Sequence, residues 1–217
     1  MIFYCVALLH TKFFNKMRTK NYFLNELSID HDAQSLPPWL LDQVNQDRLF
    51  WTIERLNLHP DNNILSIGYG SGHLIYYIAH ELRDGKGTVV GLDNSEIMFR
   101  HASQINQEYI EQKIVTLLNG GVRKLAFPEE YFDHIFTHNI HFFWNDPVRE
   151  ISGILPFLKN GGKFSLIFQP RWAKNEDAIE NSVKKIKSVL NRSGFEHIDI
   201  ESKEMEPVKC ISVCGIK

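Results

Sequence analysis

Six consecutive residues, Gly68-Tyr69-Gly70-Ser71-Gly72-His73, place three glycines at alternate positions directly after the short apolar run Ile64-Leu65-Ser66-Ile67. Without a Cβ, the backbone here can take positive φ and approach a ligand closely. A helix that begins at such a turn points its first N–H groups into the same space, where they favour a negative or polar ligand group. Asp93 closes the next apolar run, Val89-Val90-Gly91-Leu92. A carboxylate on the neighbouring strand tip, about 20 residues beyond the last glycine, is placed to hold the hydroxyls of a nucleotide ribose. A charge-assisted bond of that kind contributes roughly 1.5–3 kcal/mol. Alone, the turn could merely join a strand to a helix, and the Asp could merely cap one. In this order they point to a nucleoside-containing ligand.

The elements that must position these groups alternate along the chain. Short β runs are expected at residues 64–67, 88–92, 113–118, 133–137 and 163–168, with amphipathic helices between them. Asp84-Gly85-Lys86-Gly87 stops the first of these helices, Asn94 or Ser95 can cap the second, and Asp146-Pro147 opens another that runs through Leu158 to a stop at Asn160-Gly161-Gly162. A helix carrying Ile179, Val183, Ile186 and Leu190 has its acids first and its bases last, which suits the helix dipole. Strands at 195–202 and 208–216 close the chain as a hairpin around Glu206-Pro207. Strands alternating with helices of this length predict an α/β fold: a three-layer sandwich with a mostly parallel, Rossmann-like seven-stranded sheet and one antiparallel strand. Ligands of such open sheets bind outside the carboxyl ends of the strands, where strand order reverses. The glycine loop would sit there.

Before this pattern, Pro37-Pro38 opens a helical stripe through Leu40, Leu41, Val44, Phe50, Trp51, Ile53 and Leu56. Residues 1–58 are therefore read as an N-terminal helical extension and 59–217 as the ligand-binding domain. Residues 1–16 carry no periodicity or motif, and Met17 is the expected translation start. The apolar residues 1–9 fall short of the roughly 20 that a membrane span needs. Basic residues follow them rather than precede them, the reverse of a secretory signal. The protein is expected in the cytoplasm. With 24 basic and 26 acidic residues in 217, a net charge of −2 and no basic block, a nucleic-acid partner is not expected. Cys5, Cys210 and Cys214 make no disulfide framework and read as small buried residues.

Dinucleotide-binding loops read GxGxxG, whereas here the third glycine comes one residue early. With that spacing, residues 64–168 resemble a class I S-adenosylmethionine-dependent methyltransferase, of the small-molecule kind that includes the ubiquinone- and menaquinone-biosynthesis enzymes. Five stretches match in order: Ile64 to Gly72, Gly91-Leu92-Asp93-Asn94-Ser95 with Met98, Leu118-Asn119-Gly120 through Leu125-Ala126-Phe127-Pro128, Tyr131-Phe132-Asp133-His134-Ile135, and Leu155 through Gly161-Gly162-Lys163-Phe164. The resemblance implies S-adenosylmethionine as cofactor and S-adenosylhomocysteine as product. It implies that Gly68, Tyr69, Gly70 and Gly72 pass beside the methionine moiety, that Asp93 holds the ribose, and that Asn94 and Met98 flank adenine. Gly120, Gly121 and Val122 would lie at the adenine edge, and His138 and Asn139 would border the sulfonium.

Two positions depart from the family. Ser66 stands where an acid usually holds the ammonium end of the cofactor, and Gly121 where an Asp often reaches adenine. These departures motivate the alternative, a degenerate methyltransferase fold that binds a ligand or partner without catalysis. A nicotinamide-dependent oxidoreductase is the weaker alternative, since Tyr109 and Lys113 have the relay spacing but precede the third strand. In the leading reading the chain is an enzyme, and the segment His138-Asn139-Ile140-His141-Phe142-Phe143-Trp144 lines the pocket of a small-molecule acceptor. His141 is the first candidate for a general base and His138 the second, because histidine titrates near neutrality. Trp39, Phe50, Trp51, Arg171 and Trp172 are candidates for a lid. His73, at a helix start, is expected neutral. No metal pattern lies near the site, and none is expected.

Overall fold

The computed structural model describes residues 43–139, 145–206 and 208–217. Two compact units divide the chain, residues 1–50 and 51–217. Of the first, only the opening of helix α1 (Gln43–Leu56) is described. The second unit carries the rest of α1 and an alternating series: β1 (Asn63–Ile67), α2 (His73–Leu82), β2 (Thr88–Asp93), α3 (Glu96–Ile105), α4 (Gln107–Glu111), β3 (Val115–Asn119), β4 (Phe132–His138), α5 (Pro147–Ile154), β5 (Leu158–Phe168), α6 (Glu176–Arg192), β6 (Glu196–Lys203) and β7 (Cys210–Ile216).

The seven strands form one sheet in the order β3-β2-β1-β4-β5-β7-β6, with β7 antiparallel to both of its neighbours. Strand order therefore reverses between β1 and β4, which pair in parallel from Ile64↔His134 to Ile67↔Thr137. On one face Leu65, Ile67, Val90, Leu92, Ile135, Phe164, Leu166 and Val213 join Ile151 and Ile154 of α5 and Ile179, Ile186 and Leu190 of α6 in a continuous core. Side chains alternate across a sheet, so Ser66, Gly91, His134, Ser165 and Cys214 belong to the opposite face. Gly91 is required there: a Cβ would stand 2.7 Å from the Tyr69 ring and 2.9 Å from Leu117.

Local chemistry explains most boundaries. Ser95 caps α3 by accepting from the Met98 amide, and Asp146 caps α5 through the Arg149 amide, with Pro147 at the first helical position. Asn175 caps α6 in the same manner. Two expectations need correction. The helix opened by Asp146-Pro147 does not reach Leu158: it ends at Ile154, because Pro156 has no N–H to continue the ladder, and residues 155–157 tighten into a 3-10 turn. Asn160-Gly161-Gly162 then lies inside β5, in an irregularity between the pairs Phe132↔Leu158 and His134↔Lys163, with Gly161 at φ +74°. The third strand begins at Val115 rather than Lys113, which takes φ +62° in the turn closing the short helix α4. Cys210 and Cys214 are free thiols on one face of β7, Cys210 buried and Cys214 half-buried. Among the described residues no helix is long and apolar enough to cross a membrane.

Candidate functional site

The carboxyl ends of the parallel strands make one continuous edge, and after β1, β3 and β4 the first residue of the outgoing loop extends the ladder by one bond. Gly68 N donates to Leu92 O at 2.7 Å, Gly120 N to Asp93 O at 2.8 Å, and Asn139 N to Ile167 O at 2.9 Å. Gly68, Gly70 and Gly72 all have positive φ, at +78°, +57° and +89°. They serve different ends. A Cβ at Gly72 would stand 2.5 Å from Ala102 Cβ and 2.9 Å from Asn106 Nδ2, so this glycine lets the loop seat against α3. A Cβ at Gly70 would meet nothing within 4 Å. Among the described residues, therefore, no side chain stands against the middle of the loop. Gly72 also stands at the N-cap of α2 with no side-chain cap bond, which leaves the positive end of that helix to the crevice.

Asp93 turns toward this loop. Its Oδ2 accepts from the Gly70 amide at 2.9 Å, and its Oδ1 accepts from the Ser95 amide at 2.9 Å. The carboxylate stays half-buried, and each oxygen keeps a second lone pair. Tyr69, between the glycines, is buried over Gly91, and its hydroxyl has no hydrogen-bond partner among the described residues. Burial first, and then the charges of Asp93 and Glu96, push that phenol up to about 12, so it stays a neutral proton donor. Ser66 is buried in β1, in register with Gly91 and Phe136. Asn94 and Met98 follow Asp93 across the α3 cap, both off the core. Gly120, Gly121 and Val122 follow β3, with open space where a Gly121 side chain would be. Val122 also lines a cavity of about 430 Å³ with Arg123, Leu125, Arg149 and Phe157, one that includes none of the loop glycines.

The fold thus brings Ser66, Gly68, Tyr69, Gly70, Gly72, Asp93, Gly120, His138 and Asn139 to one sheet edge. His138 closes β4, half-buried. Asn139 follows in the left-handed region at φ +59°, and its side-chain oxygen is committed to the Gln169 amide at 2.9 Å. His141 and the aromatic run Phe142-Phe143-Trp144 lie outside the described residues, as does Trp39. Of the other lid candidates, Phe50 falls in the first unit, Trp51 is buried, and Trp172 is exposed on the loop after β5. His73 contacts Ser71 Oγ through Nδ1 at 3.1 Å. Burial, with a smaller push from His101, lowers its pKa to about 4, so it is neutral at pH 7 as expected, with desolvation as the main cause. Tyr109 is buried against His80, 2.9 Å from its Nδ1, away from any relay with Lys113.

Two supporting residues escape a reading of the sequence alone. Asn106 is fully buried and donates from Nδ2 to Gly72 O at 3.0 Å and Ala102 O at 2.8 Å, pinning the end of α3 to the glycine loop. A polar residue one turn beyond Ala102, at the C-cap of α3, was its only signal. Gln169 directly follows the buried end of β5, and nothing in its surroundings in sequence marks it.

Residues 64–162 match the family model described as a methyltransferase domain. The chain is 28% identical over 178 residues to the uncharacterized methyltransferase YdaC of Bacillus subtilis (strain 168), covering 82% of this chain and 94% of that protein. It is 29% identical over 157 residues to the chloroplastic 2-methyl-6-phytyl-1,4-hydroquinone methyltransferase of Arabidopsis thaliana, covering 72% of this chain and 44% of the longer relative. The fold is shared with a SAM-dependent methyltransferase from Aquifex aeolicus, at a TM-score of 0.65 and 18% identity over 81% of this chain and 94% of the other. The glycine loop, the strand order and these likenesses converge: residues 64–162 match a methyltransferase domain, and the chain shares the fold of S-adenosylmethionine-dependent methyltransferases.

Proposed function

We propose that the domain spanning residues 59–217 transfers a methyl group from S-adenosylmethionine to a small-molecule acceptor in the cytoplasm, by in-line displacement. The observation that carries this reading is the Asp93 carboxylate turned onto the Gly70 amide beside an open glycine loop. S-adenosylmethionine, when bound, supplies a methyl group on a positively charged sulfur and leaves as neutral S-adenosylhomocysteine.

The chain's own residues then have distinct tasks. Asp93 uses its remaining lone pairs to accept from the ribose hydroxyls. Gly68, Tyr69, Gly70 and Gly72 offer backbone to the methionine end, and Ser66 meets its ammonium with a neutral hydroxyl. Asn94 and Met98 flank the adenine, and Gly120, Gly121 and Val122 edge it. His138 and Asn139 border the reacting centre. Alignment of acceptor and methyl group can lower the barrier by roughly 7–11 kcal/mol without any acid or base. Where the acceptor arrives protonated, His141, and after it His138, takes the proton. The likeness to a hydroquinone methyltransferase and the run Phe142-Phe143-Trp144 favour a flat, apolar acceptor.

Isothermal titration of the full chain with S-adenosylmethionine and S-adenosylhomocysteine tests the reading. Saturable heat with both, lost in Asp93→Ala, is expected. Absence of heat at millimolar ligand would return the chain to the non-catalytic alternative.

A further inference from the structure

The sheet edge on the far side of β4 from Asp93 is held by two side-chain amides. Gln169 is 4% exposed and uses every polar atom it has. Its backbone N–H donates to Asn139 Oδ1 at 2.9 Å, and its Nε2 donates to Val208 O at 2.8 Å and Glu206 O at 3.3 Å. Its Oε1 accepts from Arg171 Nη2 at 3.3 Å. One residue thereby joins the tip of β4, the end of β5, the turn of the β6–β7 hairpin and the loop after β5. That loop is tightened by Arg171 N donating to Gln169 O and Ala173 N to Pro170 O, both at 2.9 Å, and it carries the exposed Trp172.

The other half of the clasp is costly to build. A non-glycine residue at φ +59° stores strain, which Asn tolerates better than most residues because its short polar side chain bonds locally. Such strain persists only where the surroundings over-determine it, and it gathers at functional sites. Here the compensating bond runs from Asn139 to Gln169 and not back to its own turn. A plain connection between β4 and α5 would need neither feature.

We infer that Gln169 is a positioning residue for the acceptor side of the site: through Asn139 and Arg171 it fixes where the loop bearing Trp172 stands at the sheet edge. The inference rests on the methyltransferase reading above. It assigns the Gln169 side chain, which bonds Val208, Glu206 and Arg171, a role in presenting the acceptor and none in holding the cofactor, whose proposed ribose and methionine contacts follow β1 and β2.

Limited trypsin digestion of the full chain, following cleavage of the Arg171–Trp172 bond by mass spectrometry, tests the clasp. Cleavage tracks the population of the opened loop. Gln169→Ala keeps its backbone N–H on Asn139 but loses the side-chain bonds to Val208, Glu206 and Arg171, and Asn139→Ala loses the bond from that N–H. Each is expected to speed cleavage about tenfold, in line with the loss of a buried hydrogen bond. Asn139→Asp keeps an acceptor oxygen and tolerates the left-handed backbone, and is expected to restore the slow rate. Asn139→Gly relieves the strain but lacks the acceptor, and is expected to cleave as fast as Asn139→Ala. S-adenosylhomocysteine affinity of Gln169→Ala, by titration, is expected to stay within about twofold of the parent. Cleavage of Gln169→Ala at the parent rate, or an affinity loss that parallels the cleavage, would overturn the inference. A parent protein that fails to bind S-adenosylhomocysteine would instead overturn the cofactor reading, while the cleavage comparison would still decide whether the clasp exists.

Discussion

The Gly70 amide and the Asp93 carboxylate lie 2.9 Å apart, so the loop after β1 is tied to the tip of β2 by the side chain assigned to the ribose. In the proposed reading one carboxylate does two jobs. It sets the loop before any ligand arrives, and it keeps lone pairs for that ligand. Preorganisation of this kind spares binding the cost of ordering the loop.

Replacing Asp93 should therefore cost both affinity and some stability. Asp93→Ala removes the acceptor of two backbone N–H groups and of the ribose hydroxyls. Titration should show S-adenosylhomocysteine binding weakened at least ten- to a hundredfold, the equivalent of one or two charge-assisted bonds. Thermal melting should fall by a few degrees, since about 1 kcal/mol shifts a domain of this size by roughly 2–4 °C. Asp93→Asn can satisfy one amide but opposes the other with its NH₂, and should fall between. Parent-like affinity in Asp93→Ala would show the ribose assignment to be wrong.

The loop glycines should separate by phenotype. In Gly72→Ala the new methyl group collides with Ala102 at a point where backbone also stands 2.8 Å away, and φ is +89°. Neither strain nor clash can relax by a rotamer change, so stability should drop by several kcal/mol in urea unfolding, as overpacking adds about 1–3 kcal/mol to the left-handed penalty. Gly70→Ala pays only the backbone term, about 1–2 kcal/mol, and its methyl group enters open space. It should fold and yet bind S-adenosylhomocysteine poorly. Equal stability losses in the two variants would contradict the division.

Ser66 offers a gain-of-function test. It is 1% exposed in β1, so a carboxylate there is buried without a partner until the cofactor's ammonium arrives. Ser66→Asp should bind S-adenosylhomocysteine about tenfold more tightly, by adding one charge-assisted bond. The free protein should melt at lower temperature because of the unpaired charge. Unchanged or weaker affinity would mean that the ammonium is not held at this strand.

Much of this architecture was legible in the sequence because its signals are local. The period of apolar residues, the Asp146-Pro147 cap and the alternate glycines each act within a few residues, and together they indicate the strand count and the strand ends at which the candidate site is expected. The limits came from local turns that override composition and from contacts across long separations. Lys113 looks like strand by composition, but the short helix α4 ahead of it imposes a left-handed turn. Asn160-Gly161-Gly162 looks like a helix stop, although Pro156 had already ended that helix and the glycines serve an irregularity in β5. Gln169 and Asn106 gain their roles only when residues more than 30 positions away come alongside.

The buried histidines give the fold a directional response to acid. Burial lowers His73 to about 4 and His134 to about 3, the latter also repelled by Lys163 and held at Nε2 by Ser165 Oγ at 2.8 Å. The unfolded chain returns both to an ordinary value near 6.5. Between those limits the unfolded state binds more protons than the folded one, so stability rises with pH there. The stabilising contribution is fully present above about 6.5 and drains away as pH falls toward 4 and 3. Urea unfolding at pH 7.5 and pH 5 should differ by on the order of 2 kcal/mol per histidine. His73→Gln should remove about half of that difference, because glutamine can still meet Ser71 but does not titrate. A stability that is flat between pH 7.5 and 5, in the parent as in the variant, would mean that these rings can charge without leaving the core.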